Sequence, residues 1–131
     1  MAYRERPLSP HLQVYRWQVQ MVSSILHRAT GIILSLGSLL IAWGLIALAA
    51  GAGSWGTFTD FARSPFGLLI LFGWTWALAF HLLSGIRHLL QDMGVGVAPP
   101  TFVKSAWLAI VGSLLLTALV WIAAIAQWGN A

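Results

Sequence analysis

The stretch "IILSLGSLLIAWGLIALAA", residues 32–50, decides the fold, because it holds no charged side chain. It lies inside a longer charge-free run, residues 29–59, and two more follow at 64–86 and 105–131. Each exceeds the roughly 20 residues with which a helix crosses about 30 Å of hydrocarbon. The runs are uniformly apolar rather than alternating, which favours helices over the strands of a membrane barrel. Of the 131 residues, 59% are hydrophobic and only 8% charged, whereas roughly a quarter are charged in a soluble domain. The expectation is an all-α integral membrane protein of one domain. It has a leader over 1–20 and three transmembrane helices over 21–50, 65–92 and 102–128.

The flanks orient these spans. Arg4, Arg6, Arg16 and Arg28 precede or open the first run, and Arg87 and Lys104 flank the connection between the second and third. Only Arg63 lies in the first connection, and no basic residue follows the third run. The positive-inside rule puts the N-terminus in the cytoplasm and the C-terminus outside, periplasmic in a bacterial inner membrane. The basic excess is thereby a topology signal, and nucleic acid is not an expected partner.

The first run is too long, and begins too late, for a cleavable signal. The two prolines of "RPLSP", residues 6–10, favour an extended leader on the cytoplasmic face. "GAGSWGTFTDFARSP", residues 51–65, reads as an interfacial link, and "GVGVAPP", residues 94–100, as a cytoplasmic turn. Trp17, Trp55, Trp107 and Trp128 fall near the expected interfaces. Trp43, Trp74, Trp76 and Trp121 fall at depth, where they would face helices or a cofactor. Without a cysteine, the chain can form no disulfide and can hold no iron–sulfur cluster on its own thiolates.

Polar side chains within the spans are costly and so point to chemistry. "SSILHRATG", residues 23–31, places Ser24 and Arg28 four apart, on one face of a helix at the membrane threshold. A hydroxyl beside a guanidinium makes a donor pair for a carbonyl, a quinone oxygen or a carboxylate. The alternative is an Arg28 that snorkels to lipid headgroups, with His27 in the interface. "HLLSGIRHLLQDMG", residues 81–94, places His81 and His88 two turns apart on nearly one side, about 10 Å from each other. Gly85 would clear space beside the His81 imidazole for a flat macrocycle, and Asp92 would orient His88. A neutral His81 suits a haem iron, or else hydrogen bonds to a neighbouring helix. Since the first two helices run oppositely, both clusters fall in the same half of the membrane. That layering fits an iron at depth with propionates reaching outward towards Arg28, Arg87 and His88.

Taken together and in this order, "RPLSPHLQVYRW" (residues 6–17), "SSILHRATG" and "HLLSGIRHLLQDMG" resemble the cytochrome b556 membrane-anchor family of succinate dehydrogenase. The resemblance covers essentially the whole chain. It implies a non-flavin subunit of a four-subunit succinate:quinone oxidoreductase. FAD and iron–sulfur clusters would lie only in the flavoprotein and iron–sulfur partner subunits. A second small hydrophobic anchor would share haem b with this chain, and ubiquinone would be the substrate reduced. It further implies His81 as the axial ligand to the haem iron, with the other ligand a histidine of the second anchor. Ser24 and Arg28 would bind quinone, His27 and Arg28 would lie near the propionates, and Pro7 to Trp17 would face the iron–sulfur subunit. Arg28 would contribute fixed charge rather than protons, because arginine does not deprotonate in proteins.

Two other classes compete. One is a purely structural anchor in which His81 only packs. The other is a small transporter subunit, against which stand the lack of an acidic residue inside the spans and the lack of obvious broken helices. A bacterial inner membrane is expected rather than a mitochondrial one.

Overall fold

The computed structural model describes residues 15–128. The described residues form four helices and no strand: α1 (Val19–Ala50), α2 (Ala52–Arg63), α3 (Pro65–Asp92) and α4 (Pro99–Trp128). At 1.5 Å per residue, α1, α3 and α4 run to roughly 40–50 Å, and all three are long and apolar enough to cross a bilayer. The chain is an all-α membrane protein with three candidate spans. The "RPLSP" part of the leader lies outside the described residues.

Local chemistry explains where the helices break. The Gly51 backbone has φ +106°, a conformation that L side chains rarely adopt, and this lets the chain turn from α1 directly into α2. At the other end of α2 a single serine serves two helices. The Ser64 hydroxyl donates to the Phe61 carbonyl (2.6 Å) and accepts from the Gly67 amide (3.0 Å), with Pro65 in the first turn of α3. α3 ends in a paired motif: the Val95 amide donates to the Leu90 carbonyl and the Gly94 amide to the Gln91 carbonyl, with Gly94 at φ +79°. α4 begins with Pro99 and Pro100, earlier than the expected start near residue 102, because proline is tolerated in a first helical turn.

The link expected over 51–65 is mostly helical. Its Gly and Ser content conceals an apolar face in which Trp55, Phe58 and Phe61 recur every third residue. That face lies against α1: the Trp43 ring meets Phe58 at 5.1 Å and Phe61 at 5.2 Å between centroids. Gly44 makes room, since a Cβ there would come within 2.8 Å of Phe58.

The three long helices meet through small residues, as expected where lipid removes the hydrophobic drive for helix association. Ala77 and Ala79 of α3 and Ala106 and Ala109 of α4 are buried, with Phe80 as the largest fully buried side chain. Ser113 and Thr117 are buried too, each hydroxyl donating to a carbonyl of its own helix (2.7 Å). Outward faces are apolar, with Leu36 64% and Leu108 72% exposed, which suits lipid or another membrane helix rather than water. Among the depth tryptophans, Trp121 packs on Phe72 and Trp74 lies against Gly37. The Trp128 side chain lies outside what the structure describes.

Candidate functional site

α1 and α3 run antiparallel, and their polar segments meet. His27 stands at the centre of three imidazoles. Its ring stacks on His81, with centroids 4.0 Å apart and planes at 10°, and meets His88 edge-on at 5.0 Å. All three rings are partly buried. The two sequence clusters are thus one structural cluster, as their common membrane layer implied.

The hydrogen bonds of His81 determine its chemistry. Its Nδ1 lies 3.2 Å from the His27 carbonyl and 3.3 Å from Thr30 Oγ1. A carbonyl only accepts, so Nδ1 carries the proton and donates. Nε2 then has the free lone pair, and it is neither hydrogen-bonded nor sealed inside the chain. Thr30 is 1% exposed, and its hydroxyl reaches the carbonyls of Leu26 (2.8 Å) and His27 (3.0 Å). The glycine that clears space for this imidazole is Gly31, where a Cβ would come within 3.2 Å of His81 Cε1. Gly85, expected in that role, faces His27 instead, at 3.8 Å from a Cβ to Cε1. The reason is register: the residue packed beside an imidazole belongs to the opposite helix, not to its own next turn.

Ser24 and Arg28 share a face as their spacing requires, and Arg28 Nε donates to the Ser24 carbonyl at 3.4 Å. Arg28 is exposed and Ser24 is half-buried one turn before it. Arg87 departs from expectation. Rather than reaching outward, it is 6% exposed and its Nε donates to Ser105 Oγ at 2.9 Å. Its guanidinium also lies 4.4 Å above the Phe102 ring. It therefore joins α3 to α4, because Ser105 and Phe102 present acceptors and a ring face on the adjacent helix. Asp92 is exposed and makes no hydrogen bond to His88.

Ser23 Oγ and His27 Nδ1 on α1 and Ser84 Oγ on α3 are buried without hydrogen-bond partners. Thr30 and Gly31 lie within residues 23–31, but the sequence alone gives neither a role. Ser23, His27 and Thr30 nonetheless stand at i, i+4 and i+7, so one helical face already joined them. Among the described residues, no group of three or more His, Cys, Asp or Glu is arranged to hold a metal ion. Deeper along the same helices, a groove of about 600 Å³ is lined by Ile33, Leu36, Gly37, Leu69, Gly73 and Trp74 and contains no ionisable group.

Residues 3–120 match the family model described as succinate dehydrogenase/fumarate reductase transmembrane subunit. The chain is 44% identical to the succinate dehydrogenase cytochrome b556 subunit of Paracoccus denitrificans, over 87% of this chain and 88% of that one. It is 36% identical to the cytochrome b556 subunit of Rickettsia felis, over 92% and 94%. The mitochondrial succinate dehydrogenase cytochrome b560 subunit of Sus scrofa is 37% identical, over 84% of this chain and 66% of its own length.

Proposed function

The chain belongs to the succinate dehydrogenase/fumarate reductase transmembrane subunit family, and from that premise we propose that it anchors a succinate:quinone oxidoreductase in the membrane and supplies one side of a haem b site. The observation that carries this reading is the His81 imidazole. Its Nδ1–H is held by the His27 carbonyl, and its Nε2 lone pair is open at the chain's surface. This is the arrangement that iron-ligating histidines share: one nitrogen coordinates while the other is oriented by a hydrogen bond.

The donor set fits a haem shared between two chains. This chain would hold the group through one histidine and a second hydrophobic anchor would hold it from the other side, while Gly31 keeps the imidazole unobstructed. His81 would hold the iron. His27, stacked on His81, and the exposed Arg28 would meet the propionates. Bound there, haem b would supply a one-electron store beside the quinone.

Ser24 and Arg28 would bind ubiquinone, the hydroxyl donating to a quinone oxygen and the guanidinium holding positive charge beside it. Protons would come from water or through Ser24, since Arg28 keeps its own. A flavoprotein carrying FAD and an iron–sulfur subunit would deliver electrons from succinate on the side where α1 begins and α3 ends. With the arginine distribution, that is the cytoplasmic face of a bacterial inner membrane.

The test is the haem content of the purified complex with and without His81→Ala. Loss of the b-type bands from the reduced-minus-oxidised spectrum is expected. Unchanged bands would sink His81 as the ligand and leave it as a packing residue.

A further inference from the structure

We infer that Thr30 is the positioning residue that orients the His81 imidazole and sets the electron density at its Nε2. The inference rests on the reading of His81 as the iron ligand and goes one residue further, to a side chain within residues 23–31 to which the sequence alone gave no role. Three observations carry it. Thr30 Oγ1 lies 3.3 Å from His81 Nδ1, on the opposite helix. It is 1% exposed, so water does not compete for it. Its own proton is committed, since the hydroxyl approaches the Leu26 carbonyl at 2.8 Å and the His27 carbonyl at 3.0 Å.

A hydroxyl whose hydrogen is given to a helix carbonyl presents its lone pairs on the other side, here towards His81. Thr30 therefore acts as an acceptor for Nδ1–H, alongside the His27 carbonyl at 3.2 Å. The two acceptors come from residues one turn apart on α1 and hold the N–H between them. A single acceptor would let the ring swing about one bond; two fix its plane. Gly31 supplies the steric counterpart, because the imidazole edge lies where a side chain at that position would press on Cε1.

The electronic consequence has a sign. Pulling on Nδ1–H makes the imidazole more basic at Nε2, which favours ferric over ferrous iron. Losing the Thr30 acceptor should therefore raise the haem potential. One neutral hydrogen bond corresponds to about threefold to tenfold in an equilibrium. At 59 mV per tenfold for one electron, that is about 30–60 mV.

The experiment uses the whole complex purified from membranes, with Thr30→Val (same shape, no hydroxyl) and Thr30→Ser (hydroxyl kept). Redox titration of the haem and the position of its ferric low-spin EPR signal are read in each. Thr30→Val is expected to shift the ferrous-to-ferric ratio at fixed ambient potential by threefold to tenfold towards ferrous, and to move the EPR signal. Thr30→Ser should restore both. Should Thr30→Val fail to assemble, Thr30→Ala takes its place in the same comparison with Thr30→Ser.

An unmoved potential and signal in the variant without the hydroxyl would overturn the inference. So would a Thr30→Ser variant shifted as far as that one, which would leave only packing by the methyl group. His81→Ala, measured in parallel, separates the two levels. If it keeps the haem bands, the ligand assignment itself has failed. If it loses them while Thr30→Val matches the native complex, only the role of Thr30 has failed.

Discussion

Along the seam between α3 and α4, the polar side chains Arg87, Ser105, Ser113 and Thr117 all find partners within the chain. Along the seam between α1 and α3, His27 Nδ1 is buried without a partner and His81 commits only its Nδ1, while the Ser23 and Ser84 hydroxyls of these two helices are also buried without partners. Both seams lie in the same membrane protein and both use costly polar groups, so cost alone does not mark function. Closure does: a polar group whose hydrogen bonds are complete serves the fold, within its helix or between helices, while a group with one atom committed and the other open is prepared for something outside the chain. Arg87 and Arg28 show the contrast within one residue type. The first is locked onto Ser105, and the second is exposed with only a long bond to its own helix.

Substitutions on the open side should act on the reaction, and those on the closed side on assembly. The largest effect is expected for Arg28→Leu. Loss of a charged hydrogen bond should lower succinate-driven quinone reduction by about 10- to 100-fold, with succinate oxidation by an artificial acceptor retained. Ser24→Ala should lower the same rate by about threefold to tenfold, the equivalent of one neutral hydrogen bond. Native quinone kinetics in both variants would remove the pair from the site.

On the closed seam, Arg87→Ala should cost about 1.5–3 kcal/mol, from hydrogen bonds made by a charged donor. It would be read as a lower dissociation temperature in detergent, with the haem spectrum and quinone kinetics native. A quinone defect at native stability would instead move Arg87 to the open side.

The smallest and sharpest pair uses two glycines under the same crowding. A Cβ at Gly31 or at Gly112 would meet its neighbour at 3.2 Å, His81 in one case and Leu83 in the other. Overpacking costs about 1–3 kcal/mol where the neighbour cannot yield. Gly112→Ala should therefore change thermal stability alone, with the sign set by whether the Leu83 side chain yields, while Gly31→Ala should also shift the haem absorbance and EPR signals. Identical outcomes for the two would erase the distinction between the seams.

What could be read in the sequence follows the range of the interactions involved. The three spans were legible because the absence of charge over residues 29–59, 64–86 and 105–131 is a local property. The shared face of Ser24 and Arg28 was legible because helix geometry relates residues four apart. α2 was obscured by Gly and Ser, although its aromatic spacing was present. The partner of Arg87 was not legible, since Ser105 lies on the next helix and the contact depends on how α3 and α4 rotate against each other. The same holds for Gly31 and Thr30. Their meeting with His81 is decided by the register of α1 on α3, which no single segment encodes.

The most direct measurement is the reduced-minus-oxidised spectrum of two purified complexes side by side, His81→Ala and Arg87→Ala. Loss of the b-type bands in the first and their retention in the second is the expected result. Bands retained in both, or lost only in Arg87→Ala, would contradict the assignment of the α1–α3 seam as the haem seat.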